Sequence, residues 1–348
     1  MQLQARRVFR LSCVVALSLA LAYGLGLPLP FLAPMLAMML VSEPAPPMKL
    51  KGLLGLSVAI MLVPGLGLLL IPLLLNYPMA AVLLVALGLY ASFYLSVNQD
   101  KGLMGTLLAL GITMISALGT VDYSLATMVL QSLVSSVVLV VICQWLVYPW
   151  FPEDNEPETS TKPTPEQTNW IALRGTLIVL PVYLVALTNP LAYMAMIMKS
   201  VALARQSSLV SAKNAGIELL GSTFLGGCFG LLFWSLLGIA TNLWMFFLWM
   251  LLFGCYFSSK IYQLIPSRFS TSFWVNVVTT MLIVLGPAVE DSANGNDVYA
   301  AMFSRLSLFV IVTLYAWFAV YLFEYLHVRR TQSNDVASNV SSSESSIC

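Results

Sequence analysis

Pro28-Leu29-Pro30-Phe31 and Pro190-Leu191-Ala192-Tyr193 superpose when the second half of the chain is slid back onto the first. The same offset sets Lys51 on Lys213. It also sets Pro64-Gly65-Leu66-Gly67-Leu68-Leu69 on Gly226-Gly227-Cys228-Phe229-Gly230-Leu231. Each half is a run of apolar segments. A chain of this kind reads as a duplicated bundle of membrane helices, a common plan for a transporter whose pathway lies between its halves.

Composition points the same way. Of 348 residues 59% are hydrophobic and 9% charged, and the mean hydropathy is +0.88. Soluble domains carry about 25% charge, so most of this chain avoids water. The net charge of +1 offers no clustered basic surface for nucleic acid. Cys13, Cys143, Cys228 and Cys255 sit inside apolar segments without CxxC or metal spacing, and read as packing residues. Cys348 is the last residue rather than the fourth from the end, so it makes no prenylation box. No metal, cofactor or catalytic residue is expected. The lone histidine, His327, has no HExxH context, and neither a GxSxG elbow nor a P-loop is present.

The expected fold is all-α: a polytopic membrane protein with about twelve transmembrane helices in two parallel six-helix repeats. Residues 1–150 hold the first repeat, with segments near 8–26, 28–42, 52–75, 78–97, 102–119 and 122–149. Residues 169–330 hold the second, near 169–188, 190–204, 214–239, 242–259, 270–289 and 300–326. Arg6, Arg7 and Arg10 before an apolar stretch imitate a signal peptide, but the next segment follows at once, so 8–26 reads as a retained span. Residues 151–168 form an acidic, Pro-rich linker, with Glu153, Asp154, Glu156, Glu158 and Glu166 expected in water. The Ser-rich tail 331–348 is expected to be disordered.

Charge orients the bundle. Of the sixteen lysines and arginines, only Arg305 falls outside one set of alternate gaps and helix ends. The opposite gaps are short and uncharged, or acidic at Asp122, Glu290, Asp291 and Asp297. The positive-inside rule then puts both termini in the cytoplasm. Each repeat has an even number of spans, so the duplication is parallel.

The second segment of each repeat is the strongest local clue. Both run for about 22 Å as helix, short of a ~30 Å hydrocarbon core. Pro28, Pro30, Pro34 and Pro190 are candidate helix breaks there. Short, Pro-interrupted segments at matching places point to a binding site between repeats. Phe31 and Tyr193, superposed at the heads of these segments, are pathway candidates. The other candidates are places where the repeats differ. Ala37 becomes Lys199, Glu43 becomes Arg205, and Leu56 becomes Glu218. Lys199 and Arg205 read either as attractors of an anionic substrate or as side chains snorkelling to headgroups. Glu218 reads either as a proton carrier or as a partner of the nearby cations. The Gly65/Gly67 and Gly226/Gly227/Gly230 clusters are expected to permit close helix packing.

The stretch from Arg10-Leu11 through Ala22-Tyr23-Gly24-Leu25-Gly26-Leu27-Pro28-Leu29-Pro30-Phe31-Leu32-Ala33-Pro34, continued through Pro46-Pro47 to Gly65-Leu66-Gly67, resembles bacterial fusaric-acid-resistance-like proteins of the aromatic acid exporter superfamily. It is most similar to their short branch. The resemblance implies an inner-membrane efflux component that exports aromatic or amphipathic organic acids. It implies a periplasmic adaptor of the membrane-fusion type as partner, beside the lipid bilayer and a small organic anion. Long-form exporters place a large cytoplasmic domain where this chain has only the acidic linker. Two alternatives stay open: a non-transporting scaffold for an adaptor, and a major-facilitator transporter. The latter usually carries a Gly- and Arg-rich turn where this chain has Glu43-Pro44-Ala45-Pro46-Pro47-Met48-Lys49. Self-association into a homo-oligomer is also left open.

Overall fold

A computed structural model describes residues 3–42, 46–98, 102–153, 165–207 and 212–345. Among these residues all regular structure is helical. The first half holds α1 (Leu3–Gly24), α2 (Leu32–Val41), α3 (Leu50–Asn76), α4 (Pro78–Asn98), α5 (Gly102–Gly119) and α6 (Tyr123–Val147). The second holds α7 (Pro165–Ala186), α8 (Pro190–Ser207), α9 (Ala212–Leu237), α10 (Leu243–Ile261), α11 (Thr271–Ala293) and α12 (Val298–Ser345). Ten of these helices are long and apolar enough to cross a membrane; α2 and α8 are the exceptions. The chain is an all-α, multi-pass membrane protein.

Helix starts follow local chemistry. The Asp122 side chain accepts from Ser124 N at 2.8 Å, Asn242 from Met245 N at 2.7 Å, and Ser270 from Phe273 N at 3.2 Å, opening α6, α10 and α11. That bond holds the exposed Asp122 carboxyl below its ordinary range. The two short helices differ from their expected equal lengths. Pro28 and Pro30 lie in the irregular stretch before α2, where Leu29 takes a positive φ of 130°. That leaves α2 ten residues, about 15 Å. Pro34 sits in its first turn and breaks nothing. Pro190 opens α8 at a position where its missing N–H is no loss, and α8 runs on for eighteen residues.

Small residues set the closest crossings. A Cβ on Gly67 or Gly111 would strike the other crossing backbone of α3 and α5, at Gly111 and Pro64 respectively. Gly111 also begins a π-turn, Gly111–Ile115, inside α5. In the second half a Cβ on Gly226 of α9 would lie 2.6 Å from the Val277 carbonyl of α11. Gly227 is likewise pressed against Leu306, whereas Gly65 and Gly230 have ordinary room, so only part of each glycine cluster serves packing.

The packing is reciprocal between halves. α1 lies along α10, and α4 lies along α7. Ser12 and Ser258 hydroxyls meet at 3.2 Å in the first pair, and Tyr90 donates to Asn169 at 3.0 Å in the second. α3 crosses α5 as α9 crosses α11, and α2 touches α11 as α8 touches α5. The buried helices α2, α5, α8 and α11 therefore form the centre. α3, α4, α9, α10 and α12 turn large apolar side chains outward, among them Leu62, Met79, Phe224, Leu252 and Phe303. α1, read first as a retained span, is packed between α2, α6 and α10. α12 continues as helix to Ser345, so the described part of the stretch expected to be a disordered tail extends an existing helix. Propagating a helix costs far less than nucleating one.

Candidate functional site

Two cavities lie along the central helices, at opposite ends of the antiparallel pair α8 and α11. The first, of about 220 Å³, is bounded by the ends of α2 and α8 and the beginnings of α5 and α11. Arg205 lies at this end, together with the alternate loops and helix ends where most of the Lys and Arg residues fall, so this is the basic end. Met35, Met39, Met198, Val201, Ala202 and Val275 make its apolar walls. Ser42, Thr106, Arg205, Gln206, Thr271, Ser272, Asn276 and Thr279 supply polar atoms. Gln206 is 4% exposed, and its Oε1 has no hydrogen-bond partner. It is an acceptor presented to whatever occupies the cavity.

The second cavity, of about 160 Å³, lies at the other end. It is lined by Leu29, Phe31, the first turns of α8, Ile283, Pro287, Glu290 and Arg305. Arg305 is held by Asp291 at 2.5 Å. Met198 lines both cavities, which places α8 as the wall between them. Phe31 is buried against Gly286 and closes the inner edge of the second cavity.

Lys199 follows Met198 and is fully buried. It lies at the middle of α8, away from any helix end, so it neither snorkels nor belongs with the surface charge that orients the bundle. Its Nζ donates to Thr280 Oγ1 at 2.6 Å and Asn276 Oδ1 at 3.3 Å, both on α11. Asn276 in turn donates to Ser222 Oγ of α9 at 2.7 Å, and Ser222 donates to the Glu218 carbonyl. Asn276 is the link to the first cavity, because its side chain also lines that space. Asn276 and Thr280 are four apart, on one face of an apolar helix. That spacing was the available signal for them.

The remaining candidates divide. Arg205 lines the first cavity. Glu218 lines neither cavity; its carboxylate accepts from Ser270 Oγ at 2.6 Å, at the partly exposed start of α11. The half-buried carboxylate thus sits near a helix end with a hydroxyl partner, not at mid-membrane. Tyr193 is half-buried beside the second cavity without lining it. Glu43 lies outside the described residues. The aromatic residues Phe233 and Phe246 pack together at 5.7 Å, with Tyr23 on Phe246 at 5.1 Å. They are core between α9, α10 and α1, and line neither cavity.

Glu153 corrects the linker reading. Its side chain is 1% exposed and joins Arg7 at 2.5 Å and Arg10 at 2.9 Å. Burial pushes the Glu153 carboxyl up; the hydrogen bonds and charges of Arg7 and Arg10 outweigh that and leave it below its ordinary range. The physical reason is that α1 brings two guanidiniums into the packed bundle, where an uncompensated charge is costly. Asp154, Glu156 and Glu158 lie outside the described residues. Trp145 donates to the Met48 carbonyl at 2.7 Å and Trp274 to Ser267 at 2.8 Å, so these helix-end rings tie loops down.

The model of a family described as a protein of unknown function, DUF2955, matches residues 7–147. The match runs from the first turns of α1 to the last residue of α6, one set of six helices. No curated protein and no solved structure matches the chain.

Proposed function

We propose that this chain is a secondary transporter of amphipathic organic anions, working as the inner-membrane part of an efflux system. It is built as two parallel six-helix repeats that rock about the central helices, with the basic end in the cytoplasm. The observation that carries this reading is the pair of cavities at opposite ends of α8 and α11, both bounded by Met198. Alternating access needs such an arrangement: two vestibules and a thin barrier at the interface between halves. The reciprocal packing of α1 on α10 and α4 on α7 supports a two-fold duplication. So does a family match that ends where the first six helices end.

The chemistry of the first cavity supports the substrate class. Methionine walls suit a flat or flexible apolar body, and the Arg205 guanidinium and the hydroxyls at the start of α11 suit a carboxylate or sulfonate head. The fusaric-acid-resistance likeness and a periplasmic adaptor belong to the same proposal. Proton coupling does too, without Glu218 as its carrier.

The test is flux through the full-length chain reconstituted in phosphatidylcholine vesicles. The probe is 1-naphthalenesulfonate, an aromatic anion that stays charged and crosses lipid poorly. Uptake should exceed that of protein-free vesicles and fall at least tenfold when Ala202→Trp fills the first cavity. Flux indifferent to that substitution would remove the cavity from the pathway. A scaffold without transport activity would give no flux at all.

A further inference from the structure

Lys199 is buried among neutral groups. Its amine donates to two acceptors, the Thr280 hydroxyl and the Asn276 amide oxygen, and among the described residues no carboxylate faces it. The charged and titratable groups on the packed elements are engaged elsewhere. On α9, Glu218 bonds Ser270; on α11, Asp291 holds Arg305 of α12, and Glu290 lies at the second cavity. On α7, Tyr183 meets Ser116, and Arg174 lies on the turns nearer the basic end. On α12, Tyr315 donates to the Leu177 carbonyl. On α8 itself, Arg205 lies at the basic end, beyond the Met198 barrier. No described Asp, Glu, Lys or Arg lies on α5.

A bare charge in a dry interior is strongly disfavoured, and a counter-ion relieves it. With only neutral partners the amine rests uncharged, and it takes a proton together with the arrival of an anion. Asn276 stands between the two, with one face on the first cavity and its Oδ1 on Lys199. Met198, the preceding residue, bounds both cavities.

Resting on the transport reading above, we infer that Lys199 binds the proton and the organic anion as one unit, so that the two cross together in the same direction. An anion in the first cavity displaces Asn276 from the amine, Lys199 takes up a proton, and the pair is released together on the other side. No bond other than N–H forms or breaks. The net cargo is neutral, and an acid made inside the cell leaves down its own gradient with its proton. Exchange of an inward proton for an outward anion is excluded, because one side chain cannot favour both and trade them.

The test uses the same vesicles and 1-naphthalenesulfonate. Because the probe is charged at all working pH values, any pH dependence belongs to the protein. With the interior alkaline by one unit, the native chain should accumulate probe about tenfold, the limit for one proton per anion. With the interior acidic it should not. Lys199→Arg, which keeps its charge at every pH, should carry probe without responding to the gradient. Lys199→Met should carry none while remaining monodisperse on size exclusion. Accumulation driven by an acidic interior would overturn the inference and leave the transport reading standing. So would a full gradient response in Lys199→Arg or in folded Lys199→Met. No flux in the native chain would remove the transport reading and this inference with it.

Discussion

Among the described residues, Arg10 on α1 and Lys199 on α8 are the two basic side chains buried most deeply, at 1% and 0% exposure. Arg10 has its counter-charge in the chain, the buried carboxylate of Glu153, which it shares with Arg7. Lys199 has a hydroxyl and an amide oxygen. The difference separates two uses of a buried basic side chain. A charge neutralised by its own chain fixes a helix, and losing either partner strands the other. An amine held only by neutral dipoles is left with capacity for a proton and a mobile counter-ion. The first half stations its cation where α1 meets the end of α6. The second half stations its amine on the wall between two cavities. At the position equivalent to Lys199 the first half has Ala37, buried in an all-apolar α2.

The sharpest way to break this comparison is at Glu153. Glu153→Ala leaves two guanidiniums facing each other in the packed bundle. It should lower unfolding free energy by about 3 kcal/mol, read as a large drop in melting temperature in detergent. A shift within error would mean that the Arg10 pair is not a structural one. The pH dependence follows from the same contact. The folded Glu153 carboxyl titrates below its ordinary value of 4.5. Its stabilising contribution is therefore complete above that value and is lost as pH falls through the lower, folded one. Melting temperature should decline on acidification below about 4.5, and Glu153→Gln should remove that component of the decline.

Much of the fold was legible because membrane helices must satisfy their backbones internally and therefore write long apolar runs into the sequence. The boundaries of α3, α5 and α10 fall within a few residues of expectation. The failures have physical causes. α2 and α8 read as equal because hydropathy does not register where a chain turns irregular, and the turn at Leu29 consumed residues that composition assigned to helix. Glu153 read as solvated because a carboxylate among prolines looks like a linker. Only the packed bundle brings Arg7 and Arg10 within reach. The charge asymmetry between halves singled out Lys199, which is buried at mid-helix, and Arg205, which lines the first cavity. It also selected Glu218, which sits beside Ser270 at an exposed helix start. A charge count cannot rank three substitutions by depth. Asn276 and Thr280 escaped because neutral polar residues carry little weight in a hydropathy profile.

Lys199→Met sharpens the comparison from the other side. Replacing the buried amine with an apolar side chain of similar volume should stabilise the fold by about 1 kcal/mol, against the loss expected at Glu153. A rise in melting temperature together with lost anion flux would mark a residue kept for work rather than for stability. A fall like that of Glu153→Ala would put Lys199 in the same structural class as Arg10.

The smallest expected effect tests how Lys199 is held. Thr280 donates to the Asn276 carbonyl at 2.7 Å while accepting from Lys199 at 2.6 Å. Thr280→Val preserves shape and removes the hydroxyl, so the amine loses its shorter contact and should cost about 1 kcal/mol. The same change in a Lys199→Met background removes no acceptor that anything still needs. The hydroxyl's bond to a backbone carbonyl within α11 is a minor loss, since that carbonyl also takes part in the helix. The two substitutions should therefore be non-additive by most of that 1 kcal/mol in a double-mutant cycle of melting curves. Additivity would mean that the amine rests elsewhere in the working protein. Asn276, not Thr280, would then be its remaining tie to the cavity wall.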